Sequence, residues 1–461
     1  MTLNNPPSET ASRAGIDSVA ASSGLLLAAR LATNSGYFVA VVLIAHALHP
    51  AGRGGVAFIT VTALLIAAAS LIGLDNATMV YAARNESLRA TLLANLLTVG
   101  TIMPVVVGGA VCLALFAFPQ VRPGNVLPID LAILLVGSVA TSIGNCGSAY
   151  LVGCRRFRAK ALSDLVMPWG YATLLVLIYS LSQMTVTRAV AAWTVAQLFQ
   201  AATYGASSLS IAGIKRPSWP LLHESITFGA RSWAGSIGAF LNARVDQTIM
   251  GLISSEQNLG IYAVAVNASE IVLYLPGAVA VALIPAIAAS PPKDRLFQTL
   301  RIARIVLVLT LVSVIMAALA GWFLIPPVFG SAYRGSVGPF LWLLPGALGY
   351  ASLRIFNSAL LASDSPTRAS IGPTVALATG VAFDLTLIPL YGATGAAIAA
   401  TLAFFAGGLT AVAAHRGKSR YRLGELAPRR DDARFIKGLA TRAANSARSI
   451  ARRLRPKSLF R

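Results

Sequence analysis

Long apolar runs separated by short polar turns make up most of this chain, and twelve of them approach or exceed the roughly 20 residues a helix needs to cross a bilayer. They centre on 24–46, 55–73, 92–118, 127–152, 165–181 and 190–211, and then on 233–253, 259–288, 305–326, 337–361, 371–390 and 395–414. The expected fold is therefore an all-α polytopic membrane protein. The polar start, 1–19, precedes an apolar run longer than the core of a signal peptide, so the first span is expected to be retained.

Composition agrees and narrows the class. Of 461 residues, 56% are hydrophobic and 11% are charged, against roughly 25% charged in soluble domains. With a mean hydropathy of +0.71, this excludes a water-soluble fold and a disordered chain. The 37 Lys and Arg outnumber the 16 Asp and Glu, a formal net charge of +21. Cations resist translocation and collect on the cytoplasmic side, so their positions orient the chain. With the N-terminus inside, the inner connections hold Arg84 and Arg89, then Arg155, Arg156, Arg158 and Lys160, then Lys215 and Arg216, then Lys293, Arg295, Arg301 and Arg304, then Arg368. The outer ones hold only Arg53, Arg122, Arg188 and Arg334. Both termini are predicted to be cytoplasmic, which places the chain as a multi-pass protein of a bacterial inner membrane.

Many of the remaining cations lie in the tail after His415. There Phe435, Ile436, Leu439, Ala443, Ala447, Ile450 and Leu454 recur at spacings of mostly three and four. Such a stripe suits a helix on an anionic inner leaflet, at about 1 kcal/mol per basic residue. A solvated basic tail is the alternative, and nucleic acid is not an expected partner. Most of the positive excess thus belongs to orientation and does not by itself argue for an anionic substrate.

The chain also repeats itself. His49 to Val56 after the first span echoes Ser254 to Tyr262 after the seventh, with Gly55 and Gly260 in register, and Leu151 to Ala159 echoes Leu361 to Ala369. Six spans per half is an even number, so the halves enter from the same side and are related by an axis along the membrane normal, an arrangement of transporters. The expected division is an N-terminal segment 1–20, a six-helix bundle 21–213, a linker 214–224, a second six-helix bundle 225–415 and a basic tail 416–461.

At this point the residues resemble a family. The segment Ser236 to Gly251 with Leu259 to Ala265, the run Phe383 to Ala399, and the Arg-rich turn Gly153 to Ala159 look like those of Wzx-type polysaccharide flippases of O-antigen and exopolysaccharide. These are relatives of multidrug and toxin extrusion transporters and of lipid II flippases. The resemblance covers about 23–415. It implies alternating-access export of a polyprenyl-diphosphate-linked oligosaccharide for cell-surface polysaccharide, in company with a polymerase and a chain-length regulator. Asp384 stands where the family pattern often shows Asn, and the lipid II relatives usually carry fourteen spans rather than twelve.

An ionised side chain at a helix centre costs roughly 2.5 to 3.5 kcal/mol, so it faces a partner or a wet cavity. Arg30, Arg244 and Arg354 lie within spans, opposed by Asp75, Asp246, Glu270 and Asp384, and internal pairing would account for them equally well. Polar neighbours recur on the same helical faces. Arg30 is aligned with Asn34, Asn242 with Asp246, Arg354 with Asn357, and Asn267 with Glu270 and Tyr274. Asn145 continues a stripe of Ser138, Thr141, Ser142 and Ser148, while Gln197 and Gln200 belong to one on the sixth span. A hydrated cavity lined by six such helices suits a lipid-linked sugar, because arginine forks bind phosphate and amides meet varied hydroxyls. Arg30, Arg244 and Arg354 are the expected diphosphate ligands, and Asn34, Asn145, Gln197, Gln200, Asn242 and Asn357 the expected glycan lining.

The energy source has more than one candidate. Two charges moving outward gain about 4.6 kcal/mol per 100 mV of inside-negative potential, so potential could suffice. Asp246, Glu270 and Asp384 are the candidates for coupling to a proton or sodium gradient. No Walker-type loop appears, and neither Cys112, Cys146 and Cys154 nor the scattered histidines suggest a metal, so no cofactor is expected. Rival readings are a multidrug or metabolite antiporter of the same superfamily, then a lipid II flippase, then a membrane enzyme such as a polysaccharide polymerase. The enzyme reading suffers from outer loops too short to hold a catalytic constellation.

Overall fold

The computed structural model describes residues 9–427 apart from 182, 214, 289, 290 and 364, and within that range the side chains of Arg30 and of residues 231–240, among others, lie outside the description. The described residues form helices and no strand. In order these are α1 (Glu9–Ser70), α2 (Leu74–Arg84), α3 (Arg89–Ala117), α4 (Pro128–Gly153), α5 (Phe157–Leu181) and α6 (Val186–Ala212). Then come α7 (Trp219–Ile253), α8 (Glu256–Ala288), α9 (Pro292–Phe329), α10 (Val337–Ala362) and α11 (Pro366–Ser419). The expected leaflet helix in the tail lies outside the described residues.

Two of these helices are each a pair of spans. In α1 the chain breaks at His49, with φ 55 and ψ −179, immediately before Pro50. Proline lacks an N–H and pushes its predecessor out of the helical region, so the apolar run cannot continue straight. In α11 the break is at Gly392, with φ 54 and ψ −128, a conformation that a residue without a Cβ adopts easily. Among the described residues, seven helices are long and apolar enough to cross a membrane, α1 and α11 among them. Counting both arms of these two, and adding α6, α7 and α10, gives the twelve expected spans of a multi-pass membrane protein. In α7 and α10 glycine, proline and charge lower the hydropathy, and in α6 threonine, glutamine and serine do, without preventing a helix.

Packing divides the chain into two compact units. The first comprises Met1–Ala268, Gly321–Phe340 and Gly380–Ala399, and the second Ser269–Ala320, Leu341–Thr379 and Ala400–Arg461. In lipid, helices associate through close packing and interhelical hydrogen bonds rather than a hydrophobic drive, so small residues matter.

In the first unit the two loops matched by the sequence repeat press backbone against backbone. A Cβ on Gly54 would lie 1.9 Å from the Glu256 carbonyl oxygen, and one on Gly260 would lie 1.7 Å from that of Pro50. The Glu256 carboxylate holds a third loop there, accepting hydrogen bonds from the backbone N–H of Gly124 and of Asn125, while Asn125 Nδ2 donates to Ala51 O at 2.7 Å. Near the opposite end of α7, Gly229 and Gly73 make a similar approach, a Cβ on either falling within 2.4 Å of the other's carbonyl oxygen. Beside it, Asn95 both donates to Ser218 O at 3.1 Å and accepts from Ser218 N at 2.8 Å, which fixes the start of α7 against α3. The core here gathers Leu74, Leu92, Leu96, Cys146 and Tyr150.

In the second unit α10 and the second arm of α11 meet along glycines. A Cβ on Gly349 would sit 2.6 Å from the Phe404 backbone, and Thr401 Oγ1 donates to Trp342 O at 2.5 Å. Leu353, Phe356 and Tyr421 belong to its core with Leu283 and Leu300. Large apolar side chains also point outward, among them Ile102, Leu113 and Phe116 of α3 and Met316, Leu319 and Trp322 of α9. These are surfaces that lipid would cover.

Candidate functional site

The charged groups of the first unit fall into three linked clusters. The first is acidic. Tyr262 of α8 is fully buried and donates its hydroxyl to Asp246 Oδ2 of α7 at 2.5 Å. Asp384, from the first arm of α11, is 2% exposed, its Oδ1 lacks a hydrogen-bond partner, and Asp246 is its electrostatic neighbour. The turn after Asp384 is held close because Gly392 lets the Asn258 side chain of α8 approach, where a Cβ would meet Asn258 Nδ2 at 2.6 Å. Two carboxylates brought together in a bundle interior repel, and a proton or a small cation between them relieves the repulsion.

The second cluster centres on Asp164 of α5, which the sequence did not single out. Lys160 Nζ lies 2.7 Å from its Oδ2, and the Tyr204 hydroxyl of α6 donates to its Oδ1. Tyr37 of α1 has both Asp164 and Arg244 as electrostatic neighbours. Gln200 donates to Ser163 O at 3.1 Å, so its amide already has a partner on α5.

The third cluster surrounds Arg53, in the first turn after the α1 break. Arg53 is 8% exposed, Tyr171 of α5 5% and Tyr333, in a short turn before α10, 0%. Both phenols are electrostatic neighbours of the guanidinium, as is Arg244. Arg53 Nε and both phenolic oxygens are buried without a hydrogen-bond partner. Arg244 is thus the member common to all three clusters, an electrostatic neighbour of Tyr262, Tyr37 and Arg53.

Of the other expected residues in this unit, Asn34 and Asn242 are half-buried, Asn145 is exposed and Gln197 is buried. The side chain of Arg30 lies outside the described residues. Several hydroxyls of the expected stripes serve the backbone, with Ser138 donating to Leu135 O and Thr203 to Gln200 O. The second unit holds Arg354, Asn357 and Glu270. The Arg354 guanidinium lies 6.0 Å from the centre of the Tyr350 ring, and both its Nε and Asn357 Oδ1 are buried without a hydrogen-bond partner. Glu270 is half-buried on α8.

Arg53 escaped the sequence because it stands between glycines in what counted as an outer connection. Tyr171 and Tyr333 escaped because nothing local separates a site tyrosine from a packing one. Lys160 and Asp164, four residues apart at a predicted span end, were the one visible signal of their cluster.

Residues 43–338 match the family described as polysaccharide biosynthesis protein. Over 227 residues the chain is 26% identical to a protein named probable flippase AglR, from Haloferax volcanii, covering 46% of this chain and 45% of that one. The chain thus spans about half the length of that curated relative. Among solved structures, it is similar to the lipid II flippase MurJ in an inward closed conformation, with a TM-score of 0.68 at 12% identity, covering 87% of this chain and 89% of that one. It is also similar to an inward-facing multidrug resistance MATE family transporter of the MOP superfamily, with a TM-score of 0.63 at 13% identity, covering 84% of this chain and 94% of that one. At these identities the two structures speak for the fold.

Proposed function

The chain belongs to the polysaccharide biosynthesis protein family, and from that premise we propose that it is a flippase, carrying a polyprenyl-diphosphate-linked oligosaccharide from the cytoplasmic to the outer leaflet. It does so by alternating access, without enzymatic chemistry, in a bacterial inner membrane with both termini cytoplasmic. The observation that carries the reading is that Arg53 and Arg354 each keep a buried Nε without a hydrogen-bond partner, in a chain whose fold is shared with a lipid II flippase. Crossing exposes a diphosphate to hydrocarbon, where each unsatisfied polar group costs several kcal/mol. Arg30, Arg244 and Arg354 are each candidates to supply it with permanent charge and forked donors. Asn34, Asn145, Gln197, Asn242 and Asn357 meet the glycan. Gln200 does so only after releasing Ser163 O.

The coupling group is the pair Asp246 and Asp384. It takes a proton or a sodium ion when its neighbourhood opens to one side, and Tyr262 holds Asp246 in place. Glu270 belongs to the second unit and is a separate candidate, while the membrane potential drives the diphosphate outward in either case. The basic tail holds anionic inner-leaflet lipids, and a polymerase and a chain-length regulator receive the product.

Deleting the gene tests the reading. A lipid-linked oligosaccharide should accumulate on the cytoplasmic face. Normal surface glycan with lost efflux of cationic drugs would instead indicate an antiporter, for which the same fold serves.

A further inference from the structure

We infer that Arg53, Tyr171 and Tyr333 form a binding site for a phosphate ester, separate from the arginines assigned above by their place in spans. Arg53 makes no ion pair among the described residues, and its Nε has no hydrogen-bond partner although the residue is more than nine-tenths buried. A buried cation left without an anion is strongly disfavoured, and evolution usually removes or pairs it. Here the groups around it make the deficit worse. Its electrostatic neighbours are two buried phenols, each with an O–H to give and no acceptor, and a second cation, Arg244.

Three buried donors without a partner, electrostatic neighbours of one another through Arg53, and excess positive charge suit an oxyanion with several acceptor oxygens. A phosphate ester fits because the guanidinium fork and the two hydroxyls can each take a different oxygen. The backbone supports a built site. The Gly54 and Gly260 contacts and the Asn125 bond to Ala51 O fix the turn that carries Arg53, and the Ser336 hydroxyl, donating to Ile261 O at 2.9 Å, fixes the turn that carries Tyr333.

On the proposed function, on which this inference rests for the identity of its ligand, the site lies at the end of the path opposite the cytoplasmic Gly73 and Gly229 contact. It would receive the lipid diphosphate late in transport. A phospholipid phosphate is the other source of the same chemistry.

The test is ligand-induced stabilisation of the full-length protein in neutral detergent, using inorganic pyrophosphate, farnesyl diphosphate and mixed micelles containing phosphatidylglycerol or phosphatidylcholine. Wild type should show a saturable rise in melting temperature with pyrophosphate. Arg53→Met should abolish that rise, and Tyr333→Phe should weaken apparent affinity several-fold. In the absence of ligand Arg53→Met should melt no lower than wild type, since it removes an unpaired buried charge, whereas a structural arginine would leave a marked loss. Arg53→Lys keeps the charge without the fork and should bind at least tenfold more weakly.

A farnesyl diphosphate response stronger than that to phosphatidylglycerol supports the site and assigns it to the transported lipid. The reverse order supports the site and assigns it to a phospholipid. A pyrophosphate response lost in Arg244→Gln but intact in both Arg53→Met and Tyr333→Phe would overturn the inference while leaving the flippase reading standing. If Arg53→Met does not fold, an unchanged response in Tyr333→Phe and Tyr171→Phe together would overturn it equally.

Discussion

Alanine at Gly260 is expected to be among the most damaging single-methyl additions this chain can receive. Its Cβ would lie 1.7 Å from the Pro50 carbonyl oxygen, a backbone atom that cannot swing aside as a side chain can. Reaching even a tight contact means moving the two loops apart by about 1.3 Å, and ordinary overpacking with smaller shifts already costs about 1–3 kcal/mol. That displacement would also pull Glu256 from the backbone N–H groups of Gly124 and Asn125, at about 1 kcal/mol for each net hydrogen bond lost. The total is about 4 kcal/mol, a fall in melting temperature on the order of 5 °C or more. Gly54→Ala, aimed at the Glu256 carbonyl from the other loop, should behave alike. Gly205→Ala in α6 is the control, because a Cβ there meets nothing within 4 Å and alanine is a better helix former by up to about 1 kcal/mol. Scanning fluorimetry of the purified proteins measures all three. A Gly260→Ala protein that melts within a degree of wild type would refute the backbone contact and the pairing of the repeated loops.

Other outcomes follow from individual contacts. Asn95→Ala strands Ser218 N and O and should lower stability by about 2 kcal/mol, read by the same melting assay, with Asn95→Asp recovering only the bond that accepts from Ser218 N. Tyr262→Phe removes the donor to Asp246, so the pH dependence of transport in proteoliposomes should shift while protein level holds. Asp384→Asn should leave transport insensitive to collapse of the ion gradient, and a wild-type gradient response in that variant would exclude Asp384 from coupling. Arg354→Gln should abolish glycan export at normal membrane abundance, and full export would remove Arg354 from the substrate path.

The fold was legible because lipid imposes a simple rule. Every span must be apolar and must satisfy its own backbone, so runs such as 92–118 and 127–152 announce their helices. Turns announced themselves through proline and glycine, as at Pro50 and Gly392, although the same run of apolar residues made each pair of spans formally one helix. The site was legible in part. Asp246 and Asp384 could be named as acids in spans, yet that they share Tyr262 as a neighbour depends on the third dimension. Arg244 could be named as a cation in a span, but its place as an electrostatic neighbour of all three clusters likewise depends on the third dimension. Arg53 was hidden because the charge rule that orients a membrane protein treats every loop arginine as a topological marker, whether it ends in water or in the core.

The claim at the centre of this account is that the chain moves a lipid-linked sugar across a bilayer. Reconstituted into liposomes with a fluorescent polyprenyl-diphosphate oligosaccharide, the wild-type protein should bring inner-leaflet label within reach of an external quencher far faster than empty liposomes do, and Arg244→Gln and Arg354→Gln should reduce that rate to background. Equal quenching rates with and without the wild-type protein, under an imposed inside-negative potential and an ion gradient, would contradict it.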